Sequence, residues 1–152
     1  MRLSSLMSLA PVLLVACIGG GSPDHTENVQ LTTAREMFTA SMHAGYSFVS
    51  QRSCECTSEV SRAMRATVID GETDSVFYVD TGAAVPSSFW PRSIEGLFDE
   101  IQDAYDTDAF MVNVTFDTEV GYPRSVFIDY QQALADEELA LQLSQVVPLA
   151  SL

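Results

Sequence analysis

Three cysteines carry most of the chemistry this chain can offer, and their spacing divides them into one and two. Cys17 stands alone at the end of an apolar N-terminal stretch, whereas Cys54 and Cys56 flank the single residue Glu55. Two thiols at this spacing can form a disulfide, ligate a soft metal as thiolates, or exchange with other disulfides. In a flat strand, residues two apart lie about 6.6 Å apart by rise, the upper limit for a disulfide, so a bridge requires a bend. Ser53 and residues 57–59 supply the residue types for one. So local a bridge closes almost no loop and adds little stability. A structural zinc site takes four ligands, and His25 and His43 are the only histidines to complete it, so no metal or cofactor is expected. Oxidoreductases space their thiols Cys-x-x-Cys, which this pair does not. The Cys54/Cys56 pair reads first as a turn staple, and thiol-dependent metal binding or redox chemistry is the alternative.

The other candidates read as structural. His43 falls near the end of a helical pattern, where an imidazolium meets the negative end of the dipole. Neither a Gly-x-Ser-x-Gly elbow nor a His-Glu-x-x-His pair accompanies it, so no catalytic residue is assigned and no enzyme is expected. Asp106/Asp108, Asp117/Glu119 and Asp136-Glu137-Glu138 lack the interval of a calcium-binding EF-hand loop and read as solvated loops. Asn113-Val114-Thr115 matches a glycosylation sequon but lies inside a predicted strand.

Charge narrows the partners. The 152 residues hold 21 acidic side chains against seven basic ones, all arginine, for a net charge of −14. Nucleic acid is excluded as a partner, because no cluster of cations is available to displace counterions from a phosphate backbone. With 47% apolar residues the chain can bury a core, and its length suits one domain.

Residues 1–16 have the layout of a secretory signal: Arg2, then an apolar run too short to span a bilayer. Leu14-Val15-Ala16-Cys17 resembles a bacterial lipobox, in which the cysteine becomes the lipidated first residue of the mature chain. Two or three acyl chains, palmitate among them, give a stable membrane anchor where one does not. Loss of Arg2 takes the net charge from −14 to −15. Residues 17–31 begin with Gly19-Gly20-Gly21-Ser22-Pro23 and continue polar, which predicts a flexible tether of about 20 Å end to end. Ile18 stands where an inner-membrane retention signal carries Asp. In an organism with two membranes this favours the outer one.

The remaining residues, 32–148, are predicted as one α+β domain. Thr33-Ala34-Arg35-Glu36 has the form of a capping box, and Ala34, Met37, Phe38, Ser41 and Met42 follow at helical spacing. Strands are predicted over 46–52, 60–69 and 72–80, with Asp70-Gly71 as a hairpin turn. A second helix starts after Ser93 as N-cap, with Ile94, Leu97, Phe98, Ile101 and Tyr105 on one stripe. Strict alternation over 110–116, a Gly121-Tyr122-Pro123 turn, a strand over 124–130 and alternating leucines over 139–147 complete the pattern. The order is αβββ twice, an antiparallel sheet of about six strands with two helices on it. The repeated order suggests duplication only at the level of topology.

Several features in order are also familiar: Gly45 to Phe48, Cys54-Glu55-Cys56, the Ile94-Glu95-Gly96-Leu97-Phe98 helix, Gly121-Tyr122-Pro123, Ile128-Asp129-Tyr130 and Ala135-Asp136-Glu137-Glu138. Together, over about residues 33–147, they resemble a family of small bacterial secreted or lipoprotein domains of unknown function. The resemblance implies an envelope location and an α+β fold, and it supplies no activity. The expectation is therefore a lipoprotein anchored in the cell envelope at Cys17, facing the periplasm or the cell exterior. It is expected to be non-enzymatic and to bind another protein or envelope component, with its acid excess steering it toward a basic patch.

Overall fold

In the computed structural model, which describes residues 24–42, 44–132 and 138–150, apolar residues at helical spacing begin earlier than the sequence suggests. Helix α1 runs over Asp24–Ser41 and buries Leu31, Ala34 and Phe38, with Met42 continuing the stripe. The capping box predicted at Thr33 is not used. The Thr33 hydroxyl instead donates to the Val29 carbonyl at 2.9 Å, and Thr32 does the same to Asn28, so both lie inside the helix. Residues 24–31, assigned to the tether, are helical for two reasons. Leu31 is buried, and Gln102 on a neighbouring helix donates to the Asn28 side chain at 3.2 Å.

Strand β1 follows over Tyr46–Arg52, then a one-turn helix α2 over Ser58–Ser61, and strands β2 at Met64–Ile69 and β3 at Glu72–Tyr78. Sequence alternation placed the start of β2 at Val60. It begins at Met64 because the amides of Val60 and Ser61 donate to the Thr57 carbonyl and that of Arg62 to the Ser58 carbonyl, while the Tyr78 hydroxyl donates to the Glu59 carbonyl at 3.1 Å. Asp70 and Gly71, both at positive φ, make the tight hairpin between β2 and β3. A 3-10 turn at Ser87–Phe89 leads into helix α3, Ile94–Asp106, whose N-cap Ser93 accepts from Gly96 N–H at 3.2 Å as its sequence position predicts. Strands β4, Met111–Phe116, β5, Pro123–Asp129, and β6, Leu139–Pro148, end the fold.

All six strands form one antiparallel sheet in the order β3-β2-β1-β6-β5-β4. The αβββ order repeats along the chain, but position in the sheet does not. β1, first of its half, is central, and β4, first of its own, is at an edge. Strand period sends Phe48, Ala66 and Val76 to one face in adjacent register, and Val114, Val126 and Leu141 likewise. Both helices cover that face. Phe38 of α1 meets the Tyr46 ring edge-on at 5.0 Å, and Phe98 of α3 stacks on Phe116 at 6.2 Å. The opposite face carries rows such as Ser47, Thr67 and Ser75, or Thr115, Ser125 and Gln142, which suit water.

Two contacts tie the layers. The buried Tyr46 hydroxyl accepts from Ile94 N–H at 2.7 Å and donates to the Glu95 carboxylate, so β1 satisfies the first turn of α3. Gly121, at φ +90°, lies against α1 so closely that a Cβ would stand 2.2 Å from the Ala34 carbonyl oxygen. In contrast, a Cβ at Gly71 would meet open space.

These contacts give two predictions. Gly71→Ala should cost about 1–2 kcal/mol from its left-handed backbone alone. Gly121→Ala should cost at least about 2 kcal/mol more, because α1 must also move. Urea unfolding of both variants checks the order, and equal losses would contradict the packing. Burial, with the Glu95 hydrogen bond second, raises the Tyr46 pKa well above the ordinary phenol value. Below about pH 10 the phenol is protonated in both states, and above it the unfolded chain ionises first, so stability falls by up to ~1.4 kcal/mol per pH unit. Tyr46→Phe should cost about 1–3 kcal/mol at pH 7 by orphaning the Ile94 donor, and it should flatten the loss between pH 10 and 11. An unchanged alkaline slope in denaturant titrations would refute the assignment.

Candidate functional site

The polar end of β1 opens into a cavity of about 310 Å³ on the helix-covered face. Its floor crosses the line between β1 and β6: Phe48, Ser50 and Arg52 on one side, Leu139, Leu141 and Leu143 on the other. Register makes this neighbourhood, since Ser50 stands opposite Leu143 and Arg52 opposite Leu141. Val60 of α2 and Leu97 of α3 close two sides, and Trp90 closes a third. Trp90 is held in place by its indole N–H, which donates to the Val85 carbonyl at 2.8 Å. The segment bearing it folds back along the β3 edge, where Val85 N–H bonds to Val76. Apart from the Tyr46 and Tyr78 phenols, Ser50 is the one buried polar residue among those described, and it lies in this floor.

The charges at the cavity reverse those of the chain. Among the described residues Arg52, Arg62 and Arg92 line it and no carboxylate does, although acids outnumber cations 21 to seven in the sequence. Two of the arginines are fixed from outside. Arg62 grips Asp80 through Nε at 3.1 Å and Nη2 at 2.5 Å, and its guanidinium lies 4.0 Å from the centre of the Tyr78 ring. The hydrogen bond with Asp80 raises the Arg62 pKa further and holds the Asp80 carboxyl below its ordinary value. Arg92 Nε meets Glu100 at 2.8 Å. Glu100 also accepts from the Tyr130 hydroxyl at 3.0 Å, and burial followed by that bond pushes the Tyr130 pKa up to about 12. Arg52 makes no ion pair among the described residues. Apolar walls with a few convergent polar groups are the usual make-up of a small-ligand site.

The residues singled out by sequence fall elsewhere. Cys54 and Cys56 are exposed in the bend after β1, at disulfide distance, with Cα atoms 5.2 Å apart. The bend required for pairing is present, and neither cysteine lines the cavity. Cys17, His43, Asp136 and Glu137 lie outside the described residues. Asp117 folds its own turn, accepting from the amides of Glu119 and Val120, and Asp106 accepts from Gln102 at 2.9 Å. Among the described residues no group of three or more His, Cys, Asp or Glu side chains converges.

Sequence reasoning did not single out Arg52, Arg62 or Arg92. They are 10 and 30 residues apart by number, and no spacing rule joins them. Composition offered a trace of the signal, because a strongly acidic chain that uses arginine for every cation is choosing the planar fork that pairs with acids.

No curated protein and no solved structure matches the chain. A family model does match, over residues 30–148, which spans the described sheet, α2, α3, most of α1 and the cavity. That match covers most of the sequence, and the chain belongs to the family of unknown function DUF6174.

Proposed function

We propose that this chain is a bacterial lipoprotein, held in the cell envelope by acyl groups on Cys17, and that its folded body binds an envelope component without transforming it. The observation that carries the binding role is the cavity across β1 and β6. It is of small-ligand size, formed by rigid elements, and lined by leucines, aromatics and arginines. Anchoring is supported by Leu14-Val15-Ala16-Cys17. Because α1 begins at Asp24, only residues 18–23 separate Cys17 from the folded body, and the cavity is kept near a membrane surface. In the intact cell, palmitate label should appear on the wild-type chain in the membrane fraction, and Cys17→Ser should abolish both. Label persisting on Cys17→Ser would refute the anchor. In-cell crosslinking of the anchored chain should capture an envelope component, and a chain that crosslinks to none loses the binding role.

One observation favours a second reading, thiol-dependent redox or metal chemistry. Cys54 and Cys56 are both exposed and at bonding distance. As a staple closing so few residues, the pair contributes at most ~1.5 kcal/mol through chain entropy. The double variant Cys54→Ser/Cys56→Ser should therefore lower Tm by no more than about 6 °C. Thiol titration of the wild type with and without reductant, together with metal analysis, separates the two readings. Bound copper or zinc, or a pair that turns over with a dithiol, would favour the second.

A further inference from the structure

We propose that the cavity takes a single-chain anionic amphiphile: one acyl tail among Phe48, Leu97, Leu141 and Leu143, and one acid headgroup, carboxylate or phosphate, on Arg52 and Arg92. The inference rests on the reading of this cavity as a binding site and names its ligand class. Four observations converge on it.

First, the wall has two chemistries, and the ligand must have both. Leu139, Leu141 and Leu143 present every second residue of β6 to the cavity, a continuous hydrocarbon strip that a wholly polar ligand leaves without partners. A neutral lipid uses the strip and leaves Arg52, which has no ion pair among the described residues, without a counter-charge. Second, the lining cations are all arginine and, among the described residues, no acid stands with them in the lining, so the headgroup is an anion with oxygen pairs that match the guanidinium fork. Third, the arginines differ in what they have left to offer. Arg62 is taken up by Asp80, by Thr81 at 3.2 Å and by the Tyr78 ring, so it contributes field more than hydrogen bonds. Arg92 spends its Nε on Glu100, and Arg52 makes no ion pair among the described residues. These two are the headgroup's direct partners. Fourth, about 310 Å³ lies at the low end of the ~300–1,000 Å³ range for ligand sites, which suits one medium-length tail and not the paired tails of a bilayer phospholipid.

The chain carries its own reporter, since Trp90, the one tryptophan in the sequence, lines the cavity. Full-length chain bearing Cys17→Ser, so that no acyl group is attached, is titrated with decanoate, decyl phosphate and decanol below their aggregation concentrations. Trp90 emission and calorimetry are read together. At least one of the two acids should bind saturably, at least about tenfold tighter than decanol and more weakly as salt rises. Decanoate binding alone identifies a carboxylate headgroup, and decyl phosphate alone a phosphate. Arg52→Gln, at an exposed position, and Arg92→Gln should each weaken the acid by about tenfold while leaving decanol unchanged. Equal affinity for acid and alcohol, indifference to both arginine variants, or neither heat nor an emission change with either acid would overturn the proposal. A failure of this kind leaves anchoring at Cys17 standing, because palmitate labelling does not involve the cavity. Failure of the label would equally leave the titration valid.

Discussion

The pairing of β1 with β6 is the constraint on which the rest of the structure depends. It joins the first strand of the sheet to the last, about a hundred residues apart in sequence, so its loop-closure cost precedes any reward from contacts. Without it the chain is two three-stranded meanders, each with an unprotected edge. With it, β3 and β4 become opposite edges, and the connection between them must cross the whole sheet. Residues 79–93 and α3 share that crossing: the segment follows the β3 edge through Val85, and α3 starts at Tyr46 of β1 and reaches Phe116 of β4. Ile94, Leu97, Phe98, Ile101 and Ala104 form its inward stripe and are all buried.

The same pairing accounts for where the cavity is. β1 has two different ends. Tyr46, beside Val68 and Pro148, is buried and fastens the first turn of α3. Toward Arg52 the strand leaves the cover of the helices, and residues 88–92, α2 and Leu97 close over it without filling it. A β-bulge between Ser47 and Val49, with Gln145 at positive φ on the facing strand, lies between the two ends. The side chains beyond it are Ser50 and Arg52, polar residues on a face that is otherwise apolar. The buried end positions α3, and the polar end borders the cavity.

What the sequence made legible was local. Alternation over residues 110–116, the Asp70-Gly71 hairpin, Ser93 as N-cap and the α3 stripe each state a period or a cap within a dozen residues; the strand itself starts at Met111, with Phe110 exposed outside it, and Ala104 is buried on the stripe where Tyr105 is half-buried. The start of α1 was illegible because Thr33 satisfies either a cap or an interior carbonyl, and only the packing of Leu31 and the Asn28–Gln102 bond choose between them. Val60, β-branched and read as the first residue of a strand, is part of a helical turn that lines the cavity. Strand order lay beyond local reading altogether, because antiparallel neighbours in sequence leave open which outer strands meet. The site inherited that ignorance. Arg52 ends a strand, Arg62 follows a turn and Arg92 precedes a helix, and only the β1–β6 register and the fold-back along β3 bring them to one rim.

The acid excess looks at first like an obstacle to an anion site, yet it sharpens what such a site selects. A body of net charge −14 repels small anions at distances up to a Debye length, about 8–10 Å in ordinary salt. Among the described residues, Asp80 and Glu100 pair with Arg62 and Arg92 without lining the cavity, and Arg52 makes no ion pair. The attraction of the rim is therefore short in range, and a free inorganic anion must approach against the field of the whole molecule with only the rim to hold it. An amphiphile approaches under the same field, but burial of its tail contributes about 25 cal/mol for each Å² of apolar surface removed from water. Selectivity then requires both halves of one ligand, with the hydrocarbon strip of β6 admitting the tail and the arginines rejecting tails without an acid.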